Sequence, residues 1–375
     1  MLNVWFWQRI VSPHMAGFAV ALVQRGCAVT YVAEQPMSPD RVKLGWTAPL
    51  LPCVDLIYVD RQRAVDALVR KAPAEAIHIC QGVRANGLVE TAQRVLTERG
   101  SRQWVVMETV NDAIWYGPIK RTEYSRLFHA KRASLQGVLA TGHRTPAWVS
   151  ARGMPADCVF PFAYFLADNK LAHAKQRDPG PYRFIFVGQL IPRKRVDWLI
   201  KALASLKGKS FELWVVGDGA EQSTLTTLGA TVLRDQVRWL GQLPLAQVPA
   251  VMEKADCLVL PSVHDGWGAV ASEALMAGTP VVCSDACGVA GAVQASGRGG
   301  VFPADDRKAL TRLLDSQLGL GVVTAEARVQ LAEWATCLGA DAGARYLMQI
   351  LEYKANPTGV RPVPPWSTGG VQCAA

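Results

Sequence analysis

The sequence predicts an α/β protein built as two doubly wound parallel sheets. Short apolar runs alternate with helical segments along the chain, which is the rhythm of βα repeats. Each half opens the same way, on an apolar run, a glycine-containing turn, a helix and another apolar run, starting near residue 2 and again near residue 184. Between the halves, residues 166–182 are polar and end in Asp178-Pro179-Gly180-Pro181, the composition of a linker. The expected organisation is a first domain at 1–170, a linker at 171–182 and a second domain at 183–336. A helix at 337–355 and a flexible Pro/Gly-rich tail at 356–375 complete it.

Bulk properties bound the function. With 375 residues, 50% hydrophobic and 19% charged, the chain can bury a large core and does not read as disordered. No apolar run reaches the roughly 18 residues of a membrane span. Residues 1–7 read as a strand, and Arg9, Pro13 and His14 interrupt any signal-peptide core, so the expected location is cytoplasmic. The nine cysteines are scattered without a Cys-x-x-Cys pair, which predicts structural thiols in a reducing compartment and no metal site. Charge is uneven: residues 1–180 carry 22 Lys and Arg against 14 Asp and Glu, while the remainder is nearly balanced. Such a field suits a phosphate-bearing substrate or an anionic membrane face. Nucleic acid is not expected, because the basic residues lie among βα repeats and form no recognised nucleic-acid motif.

In the first half, residues 2–7 form the opening strand and Ser12 to Gly17 the turn into a helix that runs to Gln24. Arg25-Gly26 ends that helix, and residues 28–32, 56–59, 76–80, 104–107 and 138–140 supply further strands. Two following loops, 81–86 and 108–112, are polar enough to face a ligand. Residues 115–144 surround a helix with Trp115, Tyr116, Lys120, Arg121, Arg126, Lys131, Arg132 and Arg144. Its expected apolar face is Tyr124, Leu127, Phe128, Leu135, Val138 and Leu139. Such a helix either lies on an anionic membrane or packs on the sheet with its charges solvated. His14, His78, His129 and His143 lack triad-like neighbours and read as surface or core residues.

In the second half, a strand at 184–187 runs into Gly188-Gln189-Leu190-Ile191-Pro192-Arg193-Lys194-Arg195 and a helix at 196–206. Helix-start amides together with Arg193 and Lys194 make an anion site suited to a diphosphate. Strands at 212–216 and 237–240 follow, the second leading into Gly241-Gln242-Leu243-Pro244. The chemistry concentrates in 256–285. There a strand at 257–260 stops at Pro261-Ser262, the loop His264-Asp265-Gly266-Trp267-Gly268 follows, and a helix at 269–277 ends at Gly278-Thr279-Pro280. Asp265 and Glu273 frame the helix start, on the order of 10 Å apart. That is the span from a hexose across a diphosphate to a ribose. The alternative is an ordinary βα loop whose Asp caps a helix and whose Glu is solvated.

The string Asp265-Gly266-Trp267-Gly268, with Glu273-Ala274-Leu275-Met276-Ala277-Gly278-Thr279-Pro280-Val281-Val282, resembles the donor-site signature of retaining glycosyltransferases of family 4. The resemblance is firm over 184–303, weaker in the first half and absent in the tail. It implies the GT-B fold, two Rossmann-like domains facing across a cleft, with acceptor bound by the first and donor by the second. It implies a donor site of Gln189, Leu243, Gly266, Trp267, Gly268, Ala269 and Glu273, with Glu273 on the ribose and the Leu243 loop at the base. Gly17 would face the diphosphate from the first domain. Asp265, Arg193 and Lys194 would be catalytic: Asp265 at the sugar, the two cations stabilising the departing diphosphate without a metal or cofactor. Three departures stand out. The usual Glu is Asp at 265, the usual first basic residue is Gln189, and the usual cleft His is replaced by Gln81 or Glu108, leaving Glu108 or Asp112 as acceptor base.

The implied activity is transfer of a sugar from a nucleotide-diphosphate sugar to a glycan or lipid-linked acceptor, in bacterial surface polysaccharide synthesis, by an enzyme that can sit on the inner membrane face. The rival readings are a nucleotide-sugar epimerase or hydrolase on the same scaffold, and a non-catalytic nucleotide-sugar-binding protein.

Overall fold

The computed structural model describes residues 1–43, 45–167, 178–357 and 359–367. The chain separates into two compact units, Met1–Asp168 with Gly339–Pro365, and Asn169–Leu338 with Trp366–Ala375. Most of the expected linker, 171–177, and the end of the expected tail, 368–375, lie outside the described residues.

The first unit contains β1 (Asn3–Ile10), β2 (Ala28–Gln35), β3 (Asp55–Tyr58), β4 (Ile77–Gln81), β5 (Gln103–Glu108), β6 (Leu135–Thr141) and β7 (Val159–Phe162). They form one sheet in the order β3-β2-β1-β4-β5-β6-β7, every neighbouring pair parallel. The order reverses at β1, whose two neighbours are β2 and β4. The sequence reading has no strand at β7. Val159-Phe160-Pro161-Phe162 is short and carries a proline, which an edge strand tolerates and a central one does not.

A second difference concerns the basic segment. The helix there is Gly117–Lys131, and Leu135, Val138 and Leu139 belong to β6 instead of to its apolar face. These residues are buried because β6 is covered on both faces, so their apolar run carries no helical period. Helix Ala340–Ala355 packs against helix Pro13–Gln24 within this unit, where Arg25 donates to Asp341 at 2.7 and 2.8 Å. Gly343 sits where a Cβ would come within 2.3 Å of the Phe165 ring, so glycine is what lets helix and ring close.

The second unit contains β8 (Tyr182–Val187), β9 (Phe211–Val216), β10 (Val237–Gly241), β11 (Cys257–Leu260), β12 (Val281–Ser284) and β13 (Gly299–Phe302). Their order is β10-β9-β8-β11-β12-β13, again with parallel neighbours. β8 now holds the place of β1, and β11 that of β4. The sequence reading has only a loop at β13, because two glycines hide its strand character. Gly299 is required there: at φ +92° a Cβ would lie 1.9 Å from the Val281 carbonyl. A buried ion pair, Asp256 with Arg328, ties helix Ala325–Ala335 to the start of β11. Its partners are nearly satisfied, since Asp256 accepts from the Arg183 amide at 2.8 Å and Arg328 donates to the Ala255 carbonyl at 2.6 Å. Within the stretch expected as a tail, Pro365–Ser367 forms a short turn and Trp366 is buried beside Trp267, ring centroids 5.8 Å apart.

Candidate active site

Ligands of doubly wound sheets bind outside the carboxyl ends of the strands, where the strand order reverses. In the second unit that place is defined by the loops leaving β8 and β11. The β8 loop ends in the one-turn helix Pro192–Lys194, and Arg195 then takes a left-handed conformation (φ +50°) to start helix Val196–Ala204. This turn folds Lys194 inward to 8% exposure. A buried ammonium must be paired, and Lys194 Nζ donates to Asp265 Oδ2 from the β11 loop. Arg193 stays exposed, donates from Nη1 to the His264 carbonyl at 2.9 Å and lies 3.9 Å from Asp265 Oδ1. The backbones are joined as well, Val263 N–H donating to the Arg193 carbonyl at 2.9 Å. Two cations and one carboxylate are thus gathered at the switch point.

The Asp265–Gly268 loop is strapped by residues 286–289. Asp265 N–H donates to the Ala286 carbonyl (3.2 Å), Gly288 N–H to Asp265 (3.0 Å) and Val289 N–H to Trp267 (2.7 Å). Gly288 permits this approach, because a Cβ there would stand 2.0 Å from the Gly266 carbonyl oxygen. Trp267 is buried at 2% exposure and its indole N–H donates to Ser272 Oγ at 3.0 Å. Gly268, at φ +90°, opens helix Ala269–Met276 with no side-chain cap. The helix start therefore keeps its positive end available at the switch point.

The corresponding helix of the first unit is closed. Helix Leu88–Glu98 follows β4, and its Leu88 N–H donates to Glu34 Oε1 at 2.6 Å. A carboxylate of the chain already occupies that anion position. Of two similar βα units, only the second leaves its helix start to a ligand.

Glu273 lies in the second turn of helix Ala269–Met276, half-buried, and desolvation pushes its carboxyl up to about 7. A carboxyl so placed is only partly ionised at neutrality and ionises further when hydroxyl donors arrive. On the far side of β8, the Gly188 loop is locked to the β9 loop: Leu190 N–H donates to the Asp218 carbonyl at 2.9 Å. Gln189 is partly exposed in that loop, as is Leu243 beyond β10.

The structure therefore gathers Arg193, Lys194, Asp265, Gly266, Trp267, Gly268, Ala269 and Glu273 at one switch point, with Gln189 and Leu243 on neighbouring loops of the same unit. Gly17 and Glu108 belong to the first unit. Gly17 is the fifth residue of helix Pro13–Gln24, where a Cβ would come within 2.8 Å of the Ala167 backbone, so packing accounts for this glycine. Glu108 ends β5, is exposed, and accepts the Tyr164 hydroxyl. Asp112 is engaged by Trp148 Nε1 at 3.0 Å and by Arg121 and Arg152. Burial raises its carboxyl, but these donors outweigh burial and hold it below the usual range. His78 is buried, accepts the Trp7 indole N–H at 3.1 Å and is pushed down to about 4 by desolvation, with Arg99 adding to the effect. Sequence reasoning missed Glu34 and the 286–289 strap. Gly288 was the one local signal for the strap.

Residues 168–335 match the family model of glycosyl transferases group 1. This stretch, under half of the chain, is similar to glycosyl transferases group 1. It contains every predicted donor residue from Gln189 to Glu273, whereas Gly17 and Glu108 lie outside the match. A stretch of 116 residues is 38% identical to the 2-deoxystreptamine glucosyltransferase of Streptomyces kanamyceticus, covering 30% of this chain and 29% of that one. Another of 105 residues is 38% identical to the putative teichuronic acid biosynthesis glycosyltransferase TuaC of Bacillus subtilis, covering 28% and 25%. The matches thus span under a third of these relatives' length. The fold is similar to that of Anabaena HepE, solved in complex with UDP, with TM-score 0.71 and 15% identity over 94% of this chain and all of that one. The two parallel-sheet, Rossmann-like units have the GT-B fold.

Proposed function

We propose that the protein is a retaining, family-4-like glycosyltransferase that takes a sugar from a nucleotide-diphosphate sugar and passes it to a glycan or lipid-linked acceptor, in bacterial surface polysaccharide synthesis. The observation that carries the reading is the buried Lys194, paired to Asp265 beside an uncapped helix start at the switch point of the matched domain. Departure of a nucleoside diphosphate builds negative charge on its phosphates. Lys194, Arg193 and the amides from Gly266 to Ala269 stabilise that charge from fixed positions, which is the main source of rate in such a step. Glu273 takes the ribose hydroxyls. Asp265, one methylene shorter than the Glu usual in the resembled family, orients Lys194 and meets the sugar. Glu108 serves the acceptor side. The chain supplies these charges without calling on a metal.

The HepE complex with UDP and the names of the relatives support a nucleotide-sugar donor. Membrane association is supported by a surface of the first unit where Trp115 is 89% and Ile119 65% exposed, next to Lys120, Arg121, Arg126 and Arg132. Among the described residues no helix is long and apolar enough to cross a membrane.

The test is thermal unfolding with UDP, GDP, ADP and dTDP. One nucleotide at a hundredfold excess over its Kd stabilises by about 2.7 kcal/mol, and the Lys194→Ala variant loses that shift. No shift with any of the four sinks the reading.

A further inference from the structure

The polypeptide runs on past helix Ala340–Ala355. Arg361 holds to β7, its guanidinium 4.8 Å from the centre of the Phe160 ring and donating to the Val159 carbonyl. The next turn, Pro365–Ser367, brings the chain back to the second unit, to which Trp366 belongs. There its buried ring lies against that of Trp267, centroids 5.8 Å apart and planes at 55°, a tilted pairing within the range aromatic rings favour.

The contact falls on the loop that follows β11. In Asp265-Gly266-Trp267-Gly268 the two glycines bring no side chain and the widest backbone freedom, so the loop is fixed by what holds the other two residues and by the 286–289 strap. Asp265 is held by Lys194. Trp267 is held by Ser272, within the short helix it precedes, and by Trp366. Trp366 comes from outside residues 168–335, the stretch shared with the family model.

We propose that Trp366 is a positioning residue: by packing on Trp267 it fixes the Gly266–Ala269 amides at the helix start in the orientation that receives an anionic diphosphate. It acts through Trp267 and takes no part in the chemistry. The indole carries no charge, so its loss loosens the amides while Arg193, Lys194 and Asp265 keep theirs. That the anion belongs to a nucleotide sugar rests on the transfer reading above; that Trp366 sets the loop does not.

The experiment compares Trp366→Ala and Trp366→Phe with the wild type in the full chain. Hydrogen exchange reads the loop without any ligand, and calorimetry reads the Kd of inorganic pyrophosphate and of UDP, GDP, ADP and dTDP. In Trp366→Ala, amides within 264–273 should exchange about tenfold faster, the factor that corresponds to one aromatic pair, while the first unit keeps its wild-type rates. The Kd of pyrophosphate should rise by a similar factor. Phe, which keeps a ring at the contact, should recover most of both. A merely structural role would lower Tm without weakening anion binding in the folded chain. If Trp366→Ala does not fold, Trp366→Leu, apolar but without a ring, takes its place. The proposal is overturned by loop exchange that stays at the wild-type rate, by faster exchange with an unchanged Kd, by a Phe variant as weak as Ala, or by a wild type that binds neither pyrophosphate nor nucleotide. Pyrophosphate binding without nucleotide binding leaves the positioning role standing and removes the transferase reading.

Discussion

Glu273 gives the sharpest quantitative expectation. Its carboxyl rises from 4.5 to about 7 in the folded chain through desolvation. Near pH 4.5 and below, the group is largely protonated in both folded and unfolded chains and contributes little. As pH climbs toward 7, the unfolded chain gives up its proton while the folded chain holds it, so stability declines with rising pH. At about 1.4 kcal/mol per unit, the full decline is about 3 kcal/mol, an upper limit because solvent reaches part of the side chain. Glu273→Gln never ionises. The variant should match the wild type near pH 4.5 and gain on it progressively up to about pH 7, with no further gain above.

Denaturant titrations of both proteins across that range measure the difference. For a unit of this size, each kcal/mol also moves Tm by roughly 2–4 °C. The same carboxyl couples to ligand: ribose hydroxyls donate to the ionised form and lower its pKa, so nucleotide binding near neutrality releases protons. Calorimetry in buffers of different ionisation enthalpy reads that release, which the Gln variant lacks. Stability curves that run parallel for the two proteins from acid to neutral pH would refute the desolvation argument, and with it the placement of Glu273 at the nucleotide.

Other consequences follow from the same geometry. Lys194→Ala should lower kcat/KM for sugar transfer by about 10²–10³, the size of one lost transition-state donor; activity near that of the wild type contradicts the diphosphate assignment. Gly288→Ala forces a Cβ to within 2.0 Å of the Gly266 carbonyl, so the Asp265–Gly268 loop must shift. Nucleotide stabilisation should then drop while the fold survives, at a cost of about 1–3 kcal/mol, and an unchanged thermal shift would show that the strap is irrelevant to binding. Docking through the Trp115 surface predicts co-sedimentation with anionic liposomes that weakens as salt is raised and weakens again in Trp115→Ala. Binding indifferent to lipid charge sinks that idea.

The architecture was legible because the strands are central, short and apolar, and the glycines and prolines fall at their ends. Where that pattern failed, the cause is local. β7 carries Pro161 and β13 carries Gly299 and Gly300, residues that read as breakers until the edge position of each strand is known. The strand at 138–140 was legible, but Leu135, Val138 and Leu139 were also offered as a helix face, because a strand buried on both faces has no period to betray it. In the candidate site, the loop after β11 could be read directly, since acid, glycines and second acid lie within nine residues. The partnership of Lys194 with Asp265 could not, because it joins positions 71 residues apart. Tyr164 had no signal at all. Its hydroxyl meets Glu108 only because the chain reverses after an edge strand that the sequence conceals.

The two sheets also explain why one unit and not the other is suited to a nucleotide diphosphate. Both present a helix at the equivalent strand of the switch point, and both place glycine before it, Gly87 with φ +64° and Gly268 with φ +90°. Fold alone makes each a place for an anion. In the first unit Glu34, next to the end of β2, has a carboxylate that bonds the Leu88 amide and fills the position a phosphate would take. A second negative group there would meet that charge. In the second unit the carboxylate of the preceding loop, Asp265, is held by Lys194, which leaves the helix start uncapped and adds Arg193 beside it. The electrostatic sign of the two sites is therefore opposite on the same backbone plan. The first unit is left with an acid at its strand ends, suited to neutral hydroxyls, and the second with a cationic turn suited to a diphosphate.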